Sequence, residues 1–370
     1  MSALETESID LVVTSPPYPM IQMWDQIFCQ LDPKVLKALE HHKGPEAFEL
    51  MHAQLGKVWM EVARVLKKGG FACINIGDAT RRLGDNFQLY PNHMRIMTHM
   101  ITLGMSPLPM ILWRKQTNAP NKFMGSGTLP AGAYVTLEHE YILIFRKGGK
   151  REFKSEEQKK RRRSSALFWE ERNVWFSDVW MDLKGARQDL PFDTDGRSRS
   201  AAFPLELASR LIHMYSVKED WILDPFLGLG TTMIASGISA RNCVGFEIDS
   251  NFRDPLQARM IQVADVGNKH IESRLKRHME FVSDRRKAKG PLKYTNRHYQ
   301  FPVVSRQETE LFFNEILSVE EDGAQDFQVT YADSAQALSM EKLVHHDISI
   351  KKPLNSKGRS PQFRQLSLLD

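Results

Sequence analysis

The segment WILDPFLGLGTTMIASGISARNCVGFEID, running from Trp221 to Asp249, narrows the folds open to this chain more than any other stretch. It reads as strand, glycine loop, helix, strand and acid. Gly228 and Gly230 permit a tight turn without a Cβ, so a ligand can lie against the backbone where the helix begins. Glu247 closes the second strand, 17 residues beyond Gly230, where an acid can accept hydrogen bonds from both hydroxyls of a ribose. A strand–turn–helix that holds no ligand is the plain alternative.

The rest of the chain repeats the alternation. The helical spacing of Leu55, Val58, Trp59, Val62, Val65 and Leu66 precedes a glycine stop and the apolar strand FACINIGDA. A helix in HMRIMTHMITLGM, a strand in LPMILWRK and a strand from Glu140 to Arg146 follow, with a Gly- and Pro-rich loop between the last two. A second run starts at Pro204 with FPLELASRLIHMYS and leads into the glycine loop. Such alternation predicts an α/β domain with a mainly parallel sheet. With 42% hydrophobic and 26% charged residues the composition is that of a globular protein. No apolar run is long enough to span a bilayer and no signal peptide is visible. The cysteines, Cys29, Cys73 and Cys243, are odd in number and scattered, which argues against disulfides and metal clusters and fits a reducing cytoplasmic compartment.

Three ligands compete for the loop. A phosphate-binding Walker loop requires a lysine that Gly230-Thr231-Thr232 does not supply, and a nicotinamide site lacks its third glycine. S-adenosylmethionine suits best, since Asp224 at the strand tip can receive an ammonium group. A second feature lies near the start of the chain, where the buried strand Ile9–Thr14 runs into Ser15-Pro16-Pro17-Tyr18. The two prolines fix φ and remove two donors, Ser15 adds a hydroxyl and Tyr18 a flat ring. That is a slot for a planar base carrying an amino group, or simply a proline-rich turn.

TSPPY followed much later by DPFLGLGTT resembles the β-group amino-directed DNA methyltransferases, whose catalytic motif precedes the cofactor motif. EHEYILIFRKG, AAFPLELASRLI and CVGFEID resemble three further motifs of that family. The resemblance implies a Rossmann-like S-adenosylmethionine-dependent methyltransferase sheet with helices on both faces, in circularly permuted order, plus a small DNA-recognition region. It implies a catalytic set of Ser15, Pro16, Pro17 and Tyr18. The implied cofactor-binding set is Phe203, Pro204, Asp224, Pro225, Phe226, Gly228, Gly230, Thr231, Thr232, Glu247 and Asp333. Asp333 enters because YADSAQAL resembles the strand that family members place just before the catalytic one. The chain is therefore expected to return at 323–345, with its ends close together beside the middle of the sheet.

The expected division is a catalytic half at 1–147, target recognition at 148–196, a cofactor half at 197–265, a basic helical segment at 266–322, the returning strand, and a flexible tail at 346–370. The net charge of +5 is concentrated in Arg146–Arg163 and Arg274–Tyr299. Lys159, Lys160, Arg161, Arg162, Arg163, Arg285 and Arg286 are the candidate contacts to double-stranded DNA, or else solvated surface charge. Trp169, Trp175 and Trp180 read as core more than as base-stacking residues. Serine in the first motif position resembles the members that methylate the N4 of cytosine, with adenine N6 as the alternative. Cytosine C5 chemistry requires a cysteine nucleophile, and Cys73 and Cys243 lie in core strands. Duplex DNA with a flipped base is the expected substrate, in a restriction–modification system with room for a cognate endonuclease. A silent DNA-binding homologue and an RNA methyltransferase are the rivals.

Overall fold

The computed structural model describes residues 1–115, 124–185, 203–323 and 326–335, together with a backbone strand at 362–369. Among these residues ten strands form one mixed sheet. They are β1 (Ile9–Thr14), β2 (Leu66–Ile76), β3 (Met105–Arg114), β4 (His139–Lys147), β5 (Val179–Trp180), β6 (Trp221–Asp224), β7 (Asn242–Phe246), β8 (Ile316–Asp322), β9 (Asp326–Tyr331) and β10 (Gln362–Leu369). Their order across the sheet is β8-β9-β10-β7-β6-β1-β2-β4-β3-β5. The five central strands β10, β7, β6, β1 and β2 are parallel, while β4 and β9 run against their neighbours. Although 206 residues separate Thr14 from Trp221 in sequence, β1 and β6 pair directly, with Leu11 opposite Ile222 and Val12 opposite Leu223.

Helices cover both faces. On one lie α1 (Asp25–Leu31), α2 (Pro33–Glu40), α3 (Gly44–Val65) and α4 (Asn92–Thr102). Helix α3 buries Ala47, Met51, Leu55, Trp59 and Val62, a stripe at intervals of three and four that faces β1 and β2. Burial of one such large side chain is worth about 2–3 kcal/mol. On the other face lie α7 (Leu205–Tyr215), α8 (Thr231–Ile238), α9 (Arg253–Ile261) and the start of α10 (Val263–Lys289). In β1, Leu11 and Val13 enter this second core and Val12 the first, so the strand is buried on both sides. No helix among the described residues is long and apolar enough to cross a membrane.

Because β1, β6 and β7 are parallel, their C-terminal ends share one edge of the sheet, the location where open α/β sheets bind ligands. At the far edge, the second half of α10 packs with α6 (Trp169–Trp175) and the segment 294–313 around a smaller core of Phe168, Leu275, Tyr299 and Phe301. Helix α5 (Glu156–Ser164) lies at this far edge too. It follows β4, which runs away from the ligand edge, and Arg161 pairs with Glu219 just before β6 begins.

Three expectations are corrected. The last residues, expected as a flexible tail, supply β10, which inserts between β7 and β9. The strand expected to return just ahead of β1 near the middle of the sheet, β9, sits outside β10 instead and is antiparallel to it. Strand β10, parallel to β1 but three places away, ends at the ligand edge, whereas the segment leading into β1 lies at the far edge, where the Glu7 N–H donates to Arg64. Trp175 and Trp180 are core as expected, while Trp169 is 39% exposed.

Candidate active site

Where β1 ends, the Thr14 hydroxyl donates to Asp224 Oδ1 at 2.6 Å. Asp224 closes β6, and its other oxygen accepts from the Thr232 hydroxyl on α8, also at 2.6 Å, while the Phe226 N–H donates to Oδ1 at 3.1 Å. Thr232 Oγ1 also approaches the Val13 carbonyl at 3.2 Å. One buried carboxylate thus ties β1, the glycine loop and the first turn of α8 together. Burial pushes its pKa up to about 6 despite these hydrogen bonds. Asp224 was expected to receive an ammonium group, but its oxygens accept from the protein's own hydroxyls and it is 2% exposed. Its place is beneath the site.

The loop above it is built for close approach. Gly228 and Gly230 both have left-handed φ, +52° and +72°. The reasons differ. A Cβ on Gly230 would strike Leu256 of α9, so that glycine serves packing, whereas a Cβ on Gly228 would meet nothing within 4 Å. The Gly228 N–H donates to Glu247 Oε2 at 2.7 Å, and Glu247 Oε1 accepts from the Asp249 N–H. Burial raises the Glu247 pKa. The open ground beside Gly228, bordered by a half-buried carboxylate at the tip of β7, fits the ribose of an adenosine cofactor. Phe226 flanks the loop, its ring edge-on to Trp59 at 5.9 Å, and Pro225 is buried. Thr231 opens α8, and Pro204 caps α7 behind Phe203, which is 6% exposed in the core on the α8 side.

Ser15 to Tyr18 occupy the same edge one strand over. Tyr18 donates to Glu140 Oε2 at 2.9 Å, and Asn75 Nδ2 donates both to that oxygen at 2.7 Å and to Tyr18 Oη at 2.9 Å. Lys115 Nζ pairs with Glu140 Oε1 at 2.9 Å, and Ser15 Oγ lies 3.1 Å from Tyr18 Oη. Burial, with Glu140 adjacent, holds the Tyr18 phenol well above its ordinary pKa. The Tyr18 ring runs past Gly77, where a Cβ would sit 3.0 Å from the ring. Glu140, Asn75 and Lys115 did not emerge from sequence reasoning as site residues. Glu140 was nonetheless visible within EHEYILIF, where a carboxylate opens an otherwise apolar strand.

Other expected residues do not join the site. Asp333 follows β9, which runs toward the far edge, and it is exposed there. Of the basic residues, Lys159, Lys160, Arg161, Arg162 and Arg163 lie on α5 at the far edge. Lys159 pairs with Glu156, Arg161 with Glu219 and Arg163 with Glu310, and Arg162 stacks on Phe153. Arg285 and Arg286 end α10 beyond the smaller core, Arg285 lying over the Trp169 ring. The neighbours of Tyr18 are Ser15, Asn75, Gly77 and Glu140 instead, and residues 116–123 and 186–202 lie outside the described residues. Cys73 and Cys243 are fully buried in strands, and burial raises both thiol pKa values.

A central parallel sheet that gathers the Glu247 carboxylate, an open glycine loop and a Ser-Pro-Pro-Tyr turn on one edge is the arrangement of an S-adenosylmethionine-dependent methyltransferase fold. The chain matches the DNA methylase family of N6 and N4 methyltransferases over residues 9–258, and it belongs to that family. It is 52% identical over 312 residues to the type II methyltransferase M.MthZI of Methanothermobacter thermautotrophicus, covering 84% of this chain and 86% of that protein. It is 46% identical over 271 residues to M.MjaI of Methanocaldococcus jannaschii, covering 70% and 88%. A protein of Thermus thermophilus described as a DNA modification methylase, solved with S-adenosyl-L-methionine, is 30% identical over 71% of this chain and 89% of its own, with a TM-score of 0.55.

Proposed function

We propose that this protein methylates the exocyclic N4 of cytosine in duplex DNA, as the modification enzyme of a type II restriction–modification system. One observation carries the reading. The Ser15–Tyr18 turn and the glycine loop leave adjacent parallel strands at the same edge, tied by the Thr14–Asp224 hydrogen bond. S-adenosylmethionine, held by Gly228 and Glu247, supplies an electrophilic methyl group. Cytosine's amino nitrogen is a poor nucleophile because its lone pair is delocalised into the ring. Ser15 Oγ and the Pro16 carbonyl accept hydrogen bonds from its two N–H groups, favour a pyramidal nitrogen, and direct the lone pair toward the glycine-loop side. This is positioning and electrostatics with no covalent intermediate. Tyr18 offers its ring face to a base turned out of the helix, at a cost of about a few kcal/mol recovered in the slot.

Serine at position 15, where the resemblance associates aspartate with adenine, favours cytosine. The type II relatives support the modification role. Incubation of unmethylated duplex DNA with labelled S-adenosylmethionine, followed by nucleoside mass spectrometry, tests the reading. N4-methylcytosine that disappears in Tyr18→Ala is the expected result. N6-methyladenine would keep the slot and overturn the choice of base, and methylated RNA alone would overturn the substrate.

A further inference from the structure

The hydroxyls of Ser15 and Tyr18 are 3.1 Å apart, and by distance alone either could be the donor. Their neighbours decide. Glu140 is an ion-paired carboxylate, with Oε1 on Lys115, so it accepts and does not donate. Its Oε2 has two donors in reach, Tyr18 Oη at 2.9 Å and Asn75 Nδ2 at 2.7 Å. The Asn75 amide therefore turns its NH2 toward Glu140, and its second proton goes to Tyr18 Oη at 2.9 Å. A phenol has one proton, and here it is donated in a hydrogen bond to Glu140. Tyr18 Oη can only accept from Ser15, so the Ser15 proton points at Tyr18 and away from the space over the turn.

We infer that Glu140 is a positioning residue that sets the direction of a hydrogen-bond chain through Tyr18 to Ser15, so that Ser15 Oγ faces the target amino group as an acceptor with both lone pairs free. The inference rests on the reading of Ser15–Tyr18 as the slot for the target base. A serine alone is ambivalent, since a hydroxyl rotates to suit its partner. An amino group that must be stripped of its conjugation needs acceptors, and a serine donating to it would compete for the lone pair that attacks. Glu140 removes that ambiguity before substrate arrives, the preorganisation on which electrostatic catalysis depends. Asn75 and Lys115 hold the carboxylate in place. Ser15 and Tyr18 come from the turn after β1, Asn75 from β2, Glu140 from the start of antiparallel β4, and Lys115 follows β3. The chain of bonds therefore forms only when this side of the sheet is assembled.

Glu140→Gln removes the fixed polarity. With the carboxamide oxygen on Lys115, its NH2 faces Tyr18 and the Asn75 amide, so the Tyr18 proton has no carboxylate to hold it and is free to turn to Ser15. The expected result, measured on unmodified amplified genomic duplex DNA with labelled S-adenosylmethionine, is a fall in kcat on the order of 10- to 100-fold. Cofactor affinity by calorimetry should stay near wild type. The decisive measurement is the same substitution in a Tyr18→Phe background. Loss of the phenol hydroxyl breaks the chain, so Glu140→Gln should cost nothing further there, whereas a merely structural loss would recur in full. Tyr18→Phe alone should lower kcat about tenfold, because Ser15 loses the acceptor that orients it, and this holds even if Glu140→Gln does not fold. Full activity in either single variant, or losses that multiply in the double variant, would overturn the inference and leave the methylation reading intact. A wild-type protein that binds cofactor but methylates no duplex would overturn both.

Discussion

Asp224 is surrounded by donors and yet titrates high, because it is fully buried and a carboxylate out of water loses more solvation than three hydrogen bonds return. Its folded pKa of about 6 lies above the unfolded value near 3.8, so the native state holds the proton more tightly than the unfolded chain does. Stability from this group is present in full below the unfolded pKa and is lost as the pH rises through the folded one, by roughly 2–3 kcal/mol. Asp224→Asn does not titrate. The variant should gain about that much on wild type between pH 4 and pH 7, measured as the difference of their urea unfolding free energies. Parallel pH profiles for the two proteins would contradict the assignment. The acid itself was legible in DPFLGLGTT, but its role was not. Its partner Thr14 is 210 residues away, and only the pairing of β1 with β6 brings the two together. Tyr18 was legible for the same reason as the glycines, through a local motif, whereas Glu140 and Asn75 become site residues by register across the sheet.

The glycine loop and α8 form an element whose two glycines serve different ends. At Gly230 an added methyl meets both a left-handed backbone and Leu256, so Gly230→Ala should cost about 1–3 kcal/mol of stability. Gly228→Ala has the backbone penalty alone, about 1 kcal/mol, but it fills the open space where the cofactor is proposed to lie. Thermal unfolding together with S-adenosylmethionine titration separates the two. Gly230→Ala should lower Tm more, and Gly228→Ala should weaken binding more, at least tenfold. Elements of this kind were well marked in the sequence by glycines, prolines and apolar runs, and most strands and helices fall where those marks place them. Direction and partner were less visible. The run that ends in Tyr331 shows a strand without showing that it runs antiparallel at the margin, which is why Asp333 was assigned to the wrong edge. QFRQLSLL, with its partial alternation, was hidden by the polar stretch before it.

At the scale of the whole molecule the two edges of the sheet do different work. The Ser15–Tyr18 turn and the glycine loop lie at the C-terminal ends of the parallel strands, and the densest run of positive charge lies on α5 at the other end. Three of these residues, Lys159, Arg161 and Arg163, pair with carboxylates of their own fold, so the charge free to meet DNA on α5 is smaller than its count. Replacing Lys159, Lys160 and Arg162 together by alanine should leave the salt dependence of duplex binding unchanged by fluorescence anisotropy. Three lost phosphate contacts would reduce the slope of log K against log salt by about 2.7.

The pairing of β1 with β6 has a consequence for biosynthesis. The strand at the heart of the sheet is made more than two hundred residues before one of its two neighbours. At about 5–20 residues per second, that side of β1 waits roughly 10–40 s on the ribosome without its hydrogen-bonding partner. The helices of the first face and β2 to β4 can form in that interval, so a half-sheet with one open apolar margin precedes the complete enzyme. Newly made chains thus pass through a stage in which β1 has one unpaired edge, so the order in which the motifs are encoded exposes that edge to mispairing during synthesis.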